Sequence, residues 1–373
     1  MRHTDLNLPS RLVESSLKHL CSPTSKQNLV RRSDLSSVSE SARTGCLAIQ
    51  SVYGLDESSV TNYLCTFDGQ EAYPVVDDIP FLVSSSMALR EVETRGLREE
   101  IEVYDAIVRE QLSVEDAPII SDNLVPDHPV TIQERNWFPL PIERWLDAPY
   151  DSPAQYRAYE YLQPLSDNRV LQLGGQGDHA VKLIFAGAHQ TILVTPVYAE
   201  ALYAQELARN YGVMDKTQFI VGTAEDLPLE ESSVDRVYAG GTLHHTLVDV
   251  AVGEILRVLV PGGKFAAVEP WRTPFYRIGT ALFGKRERDV LCRPIEKSRL
   301  PELSPNVSDF SVVQFGTFTR HPLLALSKIG FQPRLKTIWK ILRADDFVAS
   351  KIPFMRRFGS SVCVTFSKTQ QGE

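Results

Sequence analysis

The 373-residue chain has no apolar run of about 18 residues, so nothing in it reads as a membrane-spanning helix. Its first residues, MRHTDLNLPSRL, lack the apolar core of a secretory signal. Cysteine is scarce. Cys21, Cys46, Cys65, Cys292 and Cys363 are too few and too scattered for a disulfide framework. A reducing cytoplasm is therefore the expected setting. Basic charge does not dominate either: 39 Lys and Arg stand against 47 Asp and Glu, for a net charge of −8. Nucleic-acid binding, which needs a concentrated basic surface, is not expected. Local basic groups remain at Lys285, Arg286 and Arg288 and at the Arg356–Arg357 pair, each of which also reads as a solvated face. Internal repeats are absent.

What is present is ordinary globular material, 43% hydrophobic and 23% charged, and long enough for two domains or one large domain with an extension. Residues 1–86 form a first module. Its polar opening carries a serine-rich stretch, SDLSSVSESARTG, that reads as a flexible loop. CLAIQSVYGL, NYLCTF and AYPVVDDIPFLV follow as short strands separated by turns. Residues 87–153 connect. Met87–Leu112 has helix formers at helical spacing, and seven prolines between Ser113 and Pro153 mark an extended linker. Trp137 and Trp145 in that linker either cap a pocket or pin the linker to a core.

Residues 154–373 alternate strand and helix. Val170–Leu173, Thr191–Val194, Phe219–Val221, Arg236–Tyr238 and Lys264–Glu269 read as strands, with helices at His179–Ala188, Tyr198–Tyr211 and Val248–Leu259. That order implies right-handed crossovers and a doubly wound, mostly parallel sheet covered on both faces. After an insertion at about 271–320, His321–Gly330 reads as a helix. Arg334–Leu342 and Ser361–Phe366 read as a final strand pair, an antiparallel edge.

Ligands of such a sheet sit beyond the carboxyl ends of its strands. Three turns meet there: Gly174-Gly175-Gln176-Gly177, Thr195-Pro196, and Thr223-Ala224-Glu225-Asp226. The glycine turn lets backbone approach a ligand and offers amides at a helix start. His244 and His245 follow the fourth strand and are candidate general bases, with a purely structural role as the alternative. Glu269 and Trp271 end the fifth strand and are candidates to line a substrate pocket.

The segments AEDLPLEESSVDRVYAGGTLHH and EILRVLVPGGKFAAVEP resemble class I S-adenosylmethionine-dependent methyltransferases, especially the ubiquinone and menaquinone branch. The resemblance implies a Rossmann-like α/β fold, S-adenosylmethionine as cofactor and a small organic acceptor. It also implies that Gln172, Gly174, Gly175, Gly177, Thr195, Thr223, Ala224, Glu225 and Asp226 form the cofactor site. The departures are specific. The family carries acids at the end of the first strand, at the end of the second, and before the alanine of the third-strand loop. Gln172, Thr195 and Thr223 stand there instead. A charge-assisted bond to the ribose hydroxyls is worth about 1.5–3 kcal/mol, so its loss costs about tenfold to a hundredfold in affinity.

Leu20–Lys26 and Leu64–Gly69, with the AYPVVDDIPFLV tail, resemble a zinc-ribbon module, which needs four metal ligands. Only Cys21 and Cys65 occupy knuckle positions, so no metal is expected, and docking against the larger domain is the expected role. Three functional readings stay open: a methyltransferase of small acceptors, a pseudoenzyme that scaffolds or regulates a partner, and a fold member with a different reaction. A protein partner or a homodimer is compatible with each.

Overall fold

The computed structural model describes residues 18–84, 96–114, 150–274, 294–300, 306–331 and 335–370. Trp137, Trp145, Cys292, the basic triad at 285–288, most of the linker and about half of the insertion lie outside the described residues.

The larger sheet has seven strands. β5 (Arg169–Leu173) is central, β6 (Gln190–Thr195) and β7 (Thr217–Val221) lie to one side, and β8 (Val234–Gly240) and β9 (Leu259–Pro270) to the other. These five run parallel, with Gln172 in register with Leu193 and Tyr238. The order reverses between β5 and β8, which makes their carboxyl ends the switch point where a ligand crevice forms. Helices α4 (Asp178–Phe185), α5 (Tyr198–Asn210) and α6 (Val248–Val258) are the crossovers, and α3 (Ser152–Leu162) packs near β9 and residues 361–368. The expected doubly wound sheet with an antiparallel edge is what the chain forms.

The composition of that edge is different from the expectation. The partner of β11 (Ser361–Lys368) is β10 (Val307–Phe315), which the sequence reading placed inside the insertion. Residues read as a strand from Arg334 belong instead to α8 (Leu335–Lys351), which follows α7 (Arg320–Lys328). Ile338, Leu342, Asp345 and Ala349 are its buried positions, a helical spacing that overrides the β-branched residues among them. A short helix, α9 (Pro353–Arg356), leads into β11.

The first module is a four-stranded antiparallel sheet of β1 (Leu29–Arg32), β2 (Asn62–Thr66), β3 (Ala72–Val76) and β4 (Ile79–Pro80). CLAIQSVYGL, expected as a strand, lies largely in α1 (Glu40–Tyr53), which begins inside the serine-rich stretch expected as loop. The local reason is capping. Ser39 accepts the Ala42 amide at 3.2 Å, and Gly54 closes the helix in the left-handed region at φ 60°.

Ser22 Oγ accepts the amides of Thr24 and Ser25, and Asp68 accepts that of Gln70, so oxygen atoms hold the two knuckle turns. Burial pushes the thiols of Cys21 and Cys65 up to about 11 and that of Cys46 up to about 12. Among the described residues no group of three or more His, Cys, Asp or Glu is placed to hold a metal ion.

The module joins the large sheet at β7. Phe81 bridges Val221 in parallel, Leu82 donates to the Val221 carbonyl at 2.8 Å, and Tyr198 donates to Asp77 at 2.6 Å. One continuous apolar core runs through both sheets. Among the described residues no helix is long and apolar enough to cross a membrane.

Candidate active site

The glycine turn after β5 is held from below by Gln172. Its buried amide donates to the Gly174 carbonyl at 2.8 Å and accepts the Ala180 amide at 2.6 Å, in the first turn of α4. Both ends of this side chain are thus engaged with the turn itself. Gly177, at φ 83°, has to be glycine, because a Cβ there would lie 2.3 Å from Ala204 of α5. The close approach of α4 to α5 depends on it.

At the end of β6 the strand residue is neutral, but an acid reaches the same place from α5. Glu200, in the first turn of α5, accepts a hydrogen bond from the Thr195 hydroxyl, and its carboxylate faces the Gly175 amide. Part of the residue reaches the surface, yet its carboxylate is enclosed where the glycine turn meets β6. Burial pushes its pKa up to about 7, and the Thr195 hydroxyl and Gly175 amide offset that only in part. Sequence reasoning missed Glu200, because an acid in a helical first turn reads as a partner of the helix dipole.

In the loop after β7, Thr223 is buried, and its hydroxyl has no hydrogen-bond partner among the described residues. Ala224 is buried beside it, and Asp226 is half-buried. Glu225 accepts the Leu247 amide at 3.0 Å and so caps α6.

At the switch point Glu269 organises the turn that follows β8. One oxygen accepts the amides of Thr242 at 2.9 Å and Leu243 at 2.8 Å. The other takes the His244 amide at 3.4 Å and His244 Nδ1 at 2.7 Å. The Glu269 side chain is fully buried, and its carboxylate assigns the proton of His244 to Nδ1. His245 stacks on His244, their ring centroids 3.9 Å apart. Trp271, also buried, donates its amide to the Ser360 carbonyl and bridges Ile295. The structure thus sets Gln172 and the end of β6 beside the glycine turn, whereas Glu225 is turned to α6 and Glu269 to the His244 turn.

Residues 171–267 match the model of the methyltransferase domain family. This region belongs to the class I S-adenosylmethionine-dependent methyltransferases. A ubiquinone/menaquinone biosynthesis C-methyltransferase of Rubrivivax gelatinosus is 37% identical over 122 residues, 31% of this chain and 46% of the relative. An uncharacterized methyltransferase of Mycobacterium tuberculosis is 34% identical over 123 residues, 33% of this chain and 47% of the relative. The chain therefore spans about half the length of these curated relatives. A solved structure of geranyl diphosphate methyltransferase in complex with S-adenosylmethionine is 16% identical, with a TM-score of 0.44, and covers 59% of this chain and 85% of that one.

Two further features beside these turns were not legible in the sequence. The helix expected as a connector, α2 (Gly96–Val114), lies against the same turns. Asp105 accepts the Ala199 amide at 3.1 Å, Gln111 accepts from Gln176 at 2.7 Å, and Tyr104 meets the His245 ring edge-on at 6.0 Å. Val108 packs with Val197, Ala199 and Tyr203. One helix therefore touches the turns after β5, β6 and β8. On the α3 side, the Tyr159 hydroxyl bonds His179 Nδ1, and the His179 and Tyr238 rings are 4.5 Å apart. This trio borders Gly240, where a Cβ would lie 3.4 Å from His179 Nε2.

Proposed function

We propose that this chain is a cytoplasmic S-adenosylmethionine-dependent methyltransferase of a small organic acceptor, with a cofactor site rebuilt around Glu200. The observation that carries this reading is a buried carboxylate facing the glycine turn in a domain whose first three strand ends are neutral. Burying a carboxylate is costly, and its partners here are a hydroxyl and an amide rather than a cation. The bond from Thr195 leaves lone pairs for ligand hydroxyls, the task that an acid at the end of the second strand performs in the family. The Thr223 hydroxyl, buried without a partner among the described residues, fits a second polar contact on the β7 side. The Gln176 and Gly177 amides, just before α4, fit an anionic group of the ligand.

The bound cofactor would supply an electrophilic methyl group, and methyl transfer needs mainly alignment. The chain's own part is to orient the acceptor and take its proton. His244, held through Nδ1 by Glu269, has Nε2 as the atom to receive that proton. Glu269 acts through His244 and is a positioning residue. His245 and Trp271 are proposed to border the acceptor. Buried, unpaired thiols at Cys21, Cys46, Cys65 and Cys363 support the reducing compartment.

The position of α2 favours a second reading. Seated on three turns and bonded to the helix that carries Glu200, it could fill the cofactor's place in a scaffold or in an enzyme of a different reaction. Titration calorimetry with S-adenosylmethionine and S-adenosylhomocysteine separates the two. The first reading predicts saturable heat. Silence up to about millimolar ligand, where binding is worth only about −4 kcal/mol, overturns it in favour of the second.

A further inference from the structure

The corner formed by α8 and α9 carries an apolar surface that the proposed site does not use. Phe347 is 63% exposed, Phe354 59%, Ile352 51% and Val348 46%. All four fall within eight residues of chain, on either side of the break between the two helices. The opposite stripe of α8 is the buried one, at Ile338, Leu342, Asp345 and Ala349, so this exposure is a face of a packed helix rather than a frayed end.

The charge around this face is one-sided. Residues 335–358 hold six Lys and Arg and two Asp, in a chain whose net charge is −8. Both acids are used internally. Asp345 is buried and accepts the amides of Phe318 and Thr319 at 3.0 and 2.9 Å, and Asp346 pairs with Arg356 at 2.8 Å. Arg356 also donates to the Gln314 carbonyl, which anchors α9 on β10. The bases on the outer side remain. Lys351 lies 5.3 Å from the centre of the Phe347 ring and Arg357 only 3.7 Å from that of Phe354. Each exposed aromatic therefore carries a cation beside it. Among the described residues neither Lys351 nor Arg357 forms an ion pair.

We propose that the α8–α9 corner docks on an anionic lipid surface, with Phe347, Val348, Ile352 and Phe354 entering the headgroup boundary and Lys351 and Arg357 meeting lipid phosphates. Aromatics flanked by Lys and Arg suit that interface, where ring and acyl chain exclude water together while the cations stay hydrated. Charge decides against a second copy of the chain. A twofold contact through this face would bring Lys351 and Arg357 against their own copies, with both Asp residues already committed.

The test is co-sedimentation of the full chain with phosphatidylcholine vesicles, with and without phosphatidylglycerol. Native protein is expected to sediment only with the anionic vesicles, and to release as salt is raised. Lys351→Glu/Arg357→Glu should weaken the apparent affinity by at least about thirtyfold, at about fivefold for each basic residue near an anionic surface. Phe347→Ser/Phe354→Ser should weaken it by at least about tenfold. Unfolding midpoints equal to the native one show that the variants fold, and the lipid and salt dependence of the native chain decides the matter without them. The proposal is overturned if native protein ignores anionic vesicles or if the variants sediment as the native does. It is also overturned if the chain elutes as a dimer that Phe347→Ser/Phe354→Ser dissolves.

Discussion

Replacing Glu200 by glutamine is expected to stabilise the folded chain above neutral pH and, in the same variant, to weaken S-adenosylhomocysteine binding. The sign follows from linkage. The Glu200 carboxyl titrates near 7 in the folded state, against about 4.3 for an unperturbed glutamate. The folded chain therefore holds the proton more tightly between those values, and stability falls as pH rises through that window. Well above pH 7 the folded state bears the full cost of an enclosed anion, on the order of 3–4 kcal/mol. Glutamine keeps an acceptor for Thr195 and Gly175 without the charge. Thermal unfolding at pH 8 should shift upward by about 6–16 °C, at about 2–4 °C per kcal/mol, and the shift should vanish near pH 4. Affinity for S-adenosylhomocysteine should fall by about tenfold to a hundredfold. A residue that is costly to stability and useful to binding is expected of a functional site. A variant that is both less stable and equally tight would assign Glu200 a structural role.

Glu269→Ala is expected to be the most damaging single change in the domain. It would leave the amides of Thr242, Leu243 and His244 without their acceptor and His244 Nδ1 without its partner, all in a buried turn. Removing one member of a buried charged network costs about 3–5 kcal/mol, or about 10 °C in the unfolding midpoint. Glu269→Gln retains an acceptor and should recover about half of that loss. Because the carboxylate also orients His244, the glutamine variant should lose turnover more than stability, and kcat should fall with KM little changed. Equal melting of the native chain and the alanine variant would contradict this account of the turn.

Much of the large sheet was legible because buried parallel strands are continuous apolar runs closed by turns. LQLGG, ILVTP and the Pro-Gly-Gly before KFAAVEP show this. Two elements were misread for local reasons. CLAIQSVY lies mostly in a helix because Ser39 and Gly54 cap it, and Leu335–Lys351 is a helix because its buried positions recur at helical spacing. Glu200 was illegible for a different reason. Its meaning comes from contacts with Gly175 and Thr195, and a sequence search for an acid at the end of the second strand stops before it. The same holds for α2. Its periodicity revealed a helix, but nothing in it pointed to Gln176, Ala199 and His245 as its neighbours.

The most direct test of a cofactor site built on Glu200 is the proton count of binding. S-adenosylhomocysteine is titrated into the chain at pH 7 in buffers of different ionisation enthalpy, and the slope of heat against that enthalpy gives the protons exchanged. If the ligand's hydroxyls require the ionised carboxylate, about half a proton is released per ligand bound at pH 7, and none in Glu200→Gln. Binding with no proton exchange, or an equal exchange in the variant, would contradict the account.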